Sequence, residues 1–164
     1  MDRFATHLPV LERAIRDFGI ETVLEFGTGL YSTPLLVQLC KEVISVEMHE
    51  RSWFDKNRTE LASPNFTPLL MLGPEVGVEY LLNADRRFDM IFVDGHEDSR
   101  WKVVNAAFDK TDVIIAHDTE VRYYQWHRIE LPDGWIWLDF KKHIPWTSVF
   151  VPKGWRADLL TEWR

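Results

Sequence analysis

Short apolar runs alternate with segments of helical periodicity along most of the chain. Five runs have the length and apolar character of buried strands, and they cover residues 22–26, 43–46, 68–72, 88–93 and 113–116. Each segment between two runs is long enough for a crossover helix, which is the connection that parallel neighbouring strands require. The alternation therefore predicts an α/β fold with a doubly wound, mostly parallel sheet and helices on both faces.

The two ends of the chain complete this prediction. Apolar residues recur at helical spacing over 10–18, and Gly19 then predicts the end of a first helix. Near the other end, a turn signal at 132–134 precedes two β-rich runs, 135–140 and 147–151, with no helical pattern between them. We expect a terminal antiparallel pair and a sheet of about seven strands.

The composition limits the classes of partner. The chain carries 19 Lys plus Arg against 26 Asp plus Glu, a formal net charge of -7. Because nucleic-acid affinity comes largely from Lys and Arg contacts to phosphates, no nucleic-acid partner is expected. The lone Cys40, the lack of an apolar leader core and the lack of a membrane-spanning apolar stretch favour a cytoplasmic location with no membrane partner. With no linker or repeat, residues 1–164 are expected to form a single domain; its oligomeric state is left open, a homo-oligomer included.

The first predicted strand runs into a glycine turn, Gly27-Thr28-Gly29. Glycines let the backbone turn tightly and bring its N–H groups against a ligand. Ser32 or Thr33 is predicted to cap the following helix, whose N-terminus favours a negatively charged group. Such a turn is typical of nucleotide-cofactor sites, but strand-to-helix turns also use glycines for structural reasons alone.

Two acidic residues narrow the choice of cofactor. Glu47 follows Gly27 by 20 residues, about the spacing at which a carboxylate binds ribose hydroxyls in doubly wound folds. Glu25 lies two residues before Gly27, where its charge would repel a pyrophosphate and attract an ammonium or a sulfonium. Ser32 stands where the dinucleotide fingerprint has its third glycine. These features favour S-adenosylmethionine (SAM) over a dinucleotide.

Four segments resemble, in order, the motifs of the class I SAM-dependent methyltransferases. They are Glu25-Phe26-Gly27-Thr28-Gly29, Val46-Glu47-Met48, Val93-Asp94-Gly95-His96 and Ala116-His117-Asp118-Thr119. The last two, VDGH and AHDT, are similar to a small-molecule O-methyltransferase-like subgroup. The resemblance implies a Rossmann-like fold, one SAM-dependent methyltransferase domain over 1–164, and methyl transfer to a small-molecule acceptor, expected at an oxygen.

The resemblance also implies roles in cofactor binding. Glu25 would hold the methionine ammonium directly or through water, and Ser32 would bind the methionine carboxylate, while the turn supplies backbone contacts. Glu47 would bind the ribose, and Met48 would pack on the adenine. Glu75 would lie at the edge of the adenine and accept a hydrogen bond from its amino group, although an acidic residue also suits the first turn of a helix. The full set of implied cofactor-binding residues is Glu25, Gly27, Thr28, Gly29, Ser32, Glu47, Met48, Pro74, Glu75 and Asp94.

The candidate catalytic residues follow two neighbouring strands. Asp94 and Asp118 end adjacent predicted strands, so both should lie at the carboxyl edge of the sheet, where open α/β folds bind ligands. Methyl transfer from a sulfonium requires the acceptor to be positioned and, for a hydroxyl, to lose its proton. A neutral histidine suits the second task, and we rank His96 before His117 as general base.

A metal-assisted alternative is not favoured. In catechol-type relatives, aspartates at positions resembling Asp94 and Asp118 hold a divalent cation together with a following Asn. Here Thr119 replaces the Asn, and Glu97 stands where a Lys is expected. An oxygen-rich site of Asp94 and Asp118 would still suit Mg²⁺ if a metal were used.

Two further functions stay open beside methyl transfer. The short chain and Thr119 are compatible with a catalytically silent or partner-dependent SAM-binding module. An NAD-dependent oxidoreductase is the weaker alternative, because Glu25 and the missing third glycine both oppose a dinucleotide.

Overall fold

The described part of the chain forms a seven-stranded sheet with helices on both faces. The computed structural model describes residues 5–156. The strand order is β3-β2-β1-β4-β5-β7-β6, and strands β1 to β5 pair in parallel. Strand β7 runs antiparallel to both of its neighbours, β5 and β6. The predicted fold class, including the terminal antiparallel pair, is confirmed.

The strands and helices follow one another in the predicted alternation. The strands are β1 Thr22–Phe26, β2 Glu42–Glu47, β3 Phe66–Leu70, β4 Met90–Val93, β5 Ile114–His117, β6 Trp135–Phe140 and β7 Thr147–Pro152. The helices are α1 Leu8–Phe18, α2 Ser32–Leu39, α3 Arg51–Glu60, α4 Pro74–Leu82 and α5 Arg100–Ala107. Two short 3₁₀ helices, Arg122–Tyr124 and Trp126–Arg128, lie in the connection between β5 and β6.

Two predicted strands begin two residues away from the expected start. Strand β3 begins at Phe66, two residues before the predicted run; it is an edge strand, where Pro68 is tolerated because no further strand needs its missing N–H. Strand β4 begins at Met90 and not at residue 88. The Asp89 carboxylate accepts hydrogen bonds from the backbone N–H of Glu21 and Thr22, which joins the start of β4 to β1 outside the strand ladder.

The core consists of two apolar layers, one on each face of the sheet. Helices α1 and α2 cover one face, with Leu11 and Leu36 fully buried against it. Helices α4 and α5 cover the other face, where Leu81 and Val104 are fully buried. Parallel strands covered on both faces read as continuous apolar runs, which is why the sequence revealed them.

The predicted end of α1 is confirmed, whereas the predicted start of α2 is not. Helix α1 ends at Gly19, whose left-handed conformation at φ 68° matches the predicted stop. The predicted cap of α2 is wrong, because Tyr31 is the N-cap and it makes no side-chain cap bond. The hydroxyls of Ser32 and Thr33 instead donate to a buried carboxylate inside the fold.

Cys40 directly follows α2 and is buried. Burial raises the pKa of its thiol to about 11, with a further contribution from the charge of Asp89. Within residues 5–156, no helix combines the length and the apolar character that crossing a membrane requires.

Candidate functional site

A cavity of about 290 Å³ opens at the carboxyl edge of the parallel strands. This is the edge at which doubly wound folds bind their ligands. It lies beside the ends of β1, β2 and β4, and its lining residues are Gly27, Thr28, Glu47, His49, Glu50, Trp53, Asp94, Gly95, His96, Glu97 and Arg100. Five of the predicted site residues therefore share one wall: Gly27, Thr28, Glu47, Asp94 and His96.

The glycine turn is fixed by a close approach of two strand ends. Gly27 has φ 94°, and a Cβ placed on it would lie 2.3 Å from the backbone oxygen of Asp94. The N–H of Gly27 donates to the Val46 oxygen, and the N–H of Asp94 donates to the Phe26 oxygen, both at 2.8 Å. Only glycine fits this backbone and this spacing, so the turn needs Gly27 to bring the ends of β1 and β4 together.

Glu25 lies beneath the turn and not in the cavity lining. It is fully buried, and its carboxylate accepts hydrogen bonds from Ser32 at 2.5 Å, Thr33 at 2.7 Å and Ser45 at 2.6 Å. Burial raises the pKa of Glu25 to about 7 despite these three bonds, and the charge of Asp94 raises it further. Glu25 is thus absent from the cavity lining, and its role toward a ligand ammonium stays a prediction; the Ser32 hydroxyl is bound to Glu25.

Glu47 occupies the position that its spacing predicts, at the end of β2 in the cavity lining. Its Oε1 accepts hydrogen bonds from the backbone N–H of His49 at 2.7 Å and of Glu50 at 3.2 Å. These bonds orient the carboxylate, so it is held in place before any ligand arrives.

Three other predicted cofactor contacts lie outside the cavity lining. Met48 is buried, and its side chain packs where Gly77 and Gly95 leave room for it. Pro74 begins α4, and Glu75 in the first turn of that helix pairs with Lys102. Their roles toward an adenine remain predictions.

Asp94 and Asp118 are joined by a guanidinium that the sequence argument overlooked. Arg100 is buried, and its two terminal nitrogens lie 2.9 Å from Asp94 Oδ1 and 2.8 Å from Asp118 Oδ2. It also donates to the backbone oxygens of Gly95 and His117. The two aspartates therefore meet as predicted, but the oxygens that would bind a shared Mg²⁺ already bind Arg100.

The two carboxyl groups respond differently to this environment. Burial alone would raise the pKa of Asp94, but the charge of Arg100 and the hydrogen bond and charge of His117 outweigh it, so the pKa is lowered. Burial dominates at Asp118 and raises its pKa, with His117 and Arg100 opposing the rise. Asp94 is thus the carboxylate that stays ionised most readily.

His117 is the buried histidine of this cluster. Its Nδ1 lies 3.4 Å from Asp94 Oδ2 and 3.6 Å from Asp118 Oδ1, and its Nε2 lies 3.0 Å from the Thr6 hydroxyl. His7, which precedes α1, packs edge-on against His117 with ring centroids 4.5 Å apart. Burial and the neighbouring His117 lower the pKa of His7 to about 4, so His7 is neutral near pH 7.

His96 lies in the cavity lining, apart from His117. Its ring stacks on His49 with centroids 4.6 Å apart, and its Nδ1 accepts a hydrogen bond from the backbone N–H of Asp98 at 3.2 Å. A neutral imidazole whose Nδ1 accepts carries its proton on Nε2. In this arrangement the Nε2–H group of His96 is the hydrogen-bond donor that the ring can present to a ligand in the cavity.

A second cavity, of about 330 Å³, adjoins the first across Trp53. Its lining residues are His7, Gly29, Leu30, Tyr31, Ser32 and Trp53. The indole N–H of Trp53 donates to the backbone oxygen of Thr28. Helix α3 thus places an aromatic wall over the glycine turn, between the two cavities.

Three residues of the site, His7, Trp53 and Arg100, were not predicted from the sequence. Arg100 carried a usable signal, because it starts the buried face of α5 that continues through Val103, Val104 and Ala107. A charged residue on such a face needs a partner, and the two aspartates at the strand ends were available. His7 and Trp53 gave no comparable signal.

The fold is shared with solved methyltransferase structures. An O-methyltransferase from Bacillus cereus in complex with S-adenosylhomocysteine (SAH) matches with a TM-score of 0.71 and 18% identity, over 88% of this chain and 79% of that one. The O-methyltransferase TomG from Streptomyces achromogenes, involved in tomaymycin synthesis and bound to SAM, matches with a TM-score of 0.69 and 17% identity, over 88% of this chain and 78% of that one. The SAH-bound methyltransferase PaMTH1 from Podospora anserina matches with a TM-score of 0.71 and 14% identity, over 93% of this chain and 81% of that one.

These structures define a methyltransferase-like fold for this chain. At such identities the likeness concerns the fold, and the choice of substrate lies in the site residues. The sequence matches no protein-family model and no curated protein.

Proposed function

We propose that the protein transfers a methyl group from SAM to a small-molecule acceptor, at an oxygen atom. The observation that carries the proposal is the charge of the cavity, whose lining includes the carboxylates of Glu47, Glu50, Asp94 and Glu97 and one cationic side chain, Arg100. An acidic lining attracts a ligand with an ammonium and a sulfonium and disfavours a pyrophosphate. The fold and its SAM- and SAH-bound neighbours support the same cofactor.

A dinucleotide is disfavoured by the cavity lining and not by Glu25. Glu25 is fully buried and engaged by three hydroxyls, so it does not face the cavity as the sequence suggested. The four carboxylates of the cavity lining are the groups that would repel a pyrophosphate. Glu25 instead holds Ser32, Thr33 and Ser45 together, which fixes the start of α2 against β1 and β2.

Glu47 and the glycine turn are the proposed cofactor contacts. The Glu47 carboxylate is held by two backbone N–H groups, with further acceptor capacity for ribose hydroxyls. Gly27 and Thr28 present backbone to the same cavity. SAM supplies the electrophilic methyl group when bound, and the residues of the chain bind and orient it.

Asp94 and His96 are the proposed contacts to the acceptor. Both lie in the cavity lining, whereas Asp118 and His117 lie outside it and fix Asp94 through Arg100 and a histidine nitrogen. His96 would donate a hydrogen bond and align the acceptor. Asp94, the readily ionised carboxylate, would accept one from the acceptor hydroxyl.

Calorimetry on the full chain tests the cofactor. We expect saturable 1:1 binding of SAM and of S-adenosylhomocysteine, and no binding of NADH by fluorescence. Absence of SAM binding at millimolar ligand would overturn the proposal. Binding of NADH in place of SAM would instead select the oxidoreductase.

A second candidate is a SAM-binding module that does not catalyse transfer alone. It is favoured by the Arg100 pairing, because one oxygen of Asp94 and one of Asp118 are already bound to the same guanidinium. Incubation with methyl-labelled SAM and a panel of hydroxylated small molecules separates the two candidates. Turnover by the isolated chain supports the enzyme, whereas tight SAM binding with no turnover across the panel supports the module.

A further inference from the structure

His7, Asp94 and His117 bring three ligand-forming atoms together beside the proposed cofactor cavity. One donor atom from each side chain lies within 4.8 Å of the other two. His7 comes from the start of α1, Asp94 from the end of β4 and His117 from the end of β5. Residues this distant in sequence converge only because the sheet places both strand ends under the first helix.

The hydrogen bonds around His117 leave one of its nitrogens facing acceptors. The Thr6 hydroxyl donates its proton to the Pro145 oxygen at 2.9 Å, so toward His117 it acts as an acceptor. His117 Nε2 therefore carries a proton, and a neutral ring presents the lone pair of Nδ1 to Asp94 Oδ2 at 3.4 Å. Two lone pairs at that distance require a proton or a cation between them.

His7 shows that more than a shared proton is needed. Its side chain is 2% exposed, and within residues 5–156 neither ring nitrogen has a hydrogen-bond partner. Leaving a buried polar atom without a partner destabilises the folded protein. A proton between His117 and Asp94 leaves His7 unsatisfied, whereas one metal ion satisfies a nitrogen of each histidine and the carboxylate at once.

The outer contacts of the cluster have the pattern of a supported metal site. His117 is oriented through Nε2 by Thr6, and Asp94 is oriented through Oδ1 by Arg100 at 2.9 Å. In metalloproteins, such partners fix the ring and carboxylate so that the remaining atoms point at the ion. Here the atoms that remain are His117 Nδ1 and Asp94 Oδ2.

We propose that His7, Asp94 and His117 bind one divalent transition-metal ion, with Zn²⁺ as the representative. Two imidazole nitrogens and one carboxylate oxygen suit Zn²⁺, Co²⁺ or Fe²⁺, whereas Mg²⁺ prefers oxygen ligands. The site differs from the Asp94 and Asp118 pair considered for Mg²⁺, because it uses the face of Asp94 that Arg100 leaves open. It shares Asp94 with the proposed acceptor contacts, but its test does not depend on methyl transfer, since metal binding is measurable without SAM.

Metal titration of the chelator-treated full chain tests the site. Zn²⁺ is followed by calorimetry and Co²⁺ by its visible absorption, which intensifies when nitrogen ligands replace water in a low-symmetry site. We expect one ion per chain, a saturable Co²⁺ spectrum abolished by Zn²⁺, and no displacement by excess Mg²⁺. Absence of saturable Co²⁺ absorption, or displacement of Co²⁺ by Mg²⁺, would overturn the proposal without any variant.

Two histidine variants locate the ion. His7→Ala is expected to weaken Zn²⁺ binding roughly 100-fold or more, since loss of an outer-shell partner alone costs 10–100-fold. His127→Ala removes an exposed imidazole and should leave binding unchanged. Equal effects of the two variants would overturn the assignment, and so would unaltered binding in a His7→Ala protein whose circular dichroism matches wild type.

Discussion

The ionisation of Glu25 is linked to folding through its burial. Its carboxyl group has a pKa of about 4.5 in the unfolded chain, and burial raises this pKa to about 7 in the folded protein. A raised acid pKa stabilises the fold fully below the unfolded value, and this contribution is lost as the pH rises through the folded value. The expected loss is on the order of 3 kcal/mol.

Glu25→Gln should therefore remove this decline. We expect the free energy of unfolding of wild type, relative to that of the variant, to fall as the pH rises from about 4.5 to about 7, measured by urea unfolding. Glu21→Gln changes an exposed glutamate just before β1 and should follow wild type. A wild-type pH profile in Glu25→Gln would show that Glu25 does not titrate in this range.

Glu47 is the residue on which cofactor affinity should depend most. Glu47→Ala is expected to weaken SAM binding roughly 10- to 100-fold, because hydrogen bonds to a charged group contribute about 1.5–3 kcal/mol. Glu42→Ala, at the other end of the same strand, is the matched control. Calorimetry gives both dissociation constants, and equal constants for the two variants would remove Glu47 from the ribose role.

The identity of single residues was easier to predict than their orientation. The sequence indicated Glu25 and Glu47 together, yet only Glu47 lines the cavity. Alternation along β1 turns Glu25 toward α2, where three hydroxyls bind it. Those hydroxyls come from α2 and β2, so no pattern local to β1 could reveal them.

The turn between β1 and α2 depends on one glycine in a way that can be measured. Gly27 and Gly134 both have positive φ, at 94° and 86°. A Cβ at Gly27 meets the Asp94 backbone at 2.3 Å, whereas a Cβ at Gly134 has nothing within 4 Å. Gly134→Ala should cost roughly 1–2 kcal/mol for its conformation, and Gly27→Ala clearly more.

Urea unfolding of the two glycine variants isolates the contact. The excess loss of stability in Gly27→Ala measures the displacement of the ends of β1 and β4, and SAM affinity should fall with it. Equal losses in both variants would mean that the turn relaxes away from Asp94 without cost.

Helix α5 is joined to two strand ends through Arg100. Arg100→Met should destabilise the protein by about 3–5 kcal/mol, because it leaves the carboxylates of Asp94 and Asp118 without their buried cation. Arg86→Met breaks an ion pair with Glu42 that is largely exposed, and should cost at most about 1 kcal/mol. Chemical denaturation compares them, and a loss at Arg100 no larger than at Arg86 would contradict the inferred role.

Elements were predictable where a single periodicity decided them. The five parallel strands and α1 follow from apolar runs and from Gly19. The cap of α2 was not predictable, because Ser32 and Thr33 have the chemistry of capping residues but bind Glu25 instead. Tertiary hydrogen bonds outweighed the local preference at that helix end.

The whole molecule should respond to its cofactor by gaining stability. SAM at a hundredfold excess over its dissociation constant should add about 2.7 kcal/mol, which corresponds to a rise in Tm of roughly 5–10 °C. Differential scanning calorimetry with and without SAM measures the shift, and NADH at the same concentration is the control. No shift with SAM, or the same shift with NADH, would contradict the cofactor assignment.

The parallel sheet with its terminal antiparallel pair was the most predictable property of the whole molecule, and the packing of side chains behind the cavity was the least. Parallel crossovers and strand ends follow from sequence spacing, which placed Asp94 and Asp118 at one edge. The approach of His7 to His117 depends on how α1 packs across the sheet, with ring centroids 4.5 Å apart. Such packing depends on side-chain volumes from distant segments, which spacing does not encode.

Cys40 equips the chain with its own reporter of unfolding. As the single cysteine of the sequence, buried and with its thiol pKa raised to about 11, it is shielded from alkylating reagents while the fold is intact. The rate at which a thiol reagent modifies the native protein therefore counts opening events at the junction of α2 and β2. Each variant described above can be compared by that rate, with no label engineered into the protein.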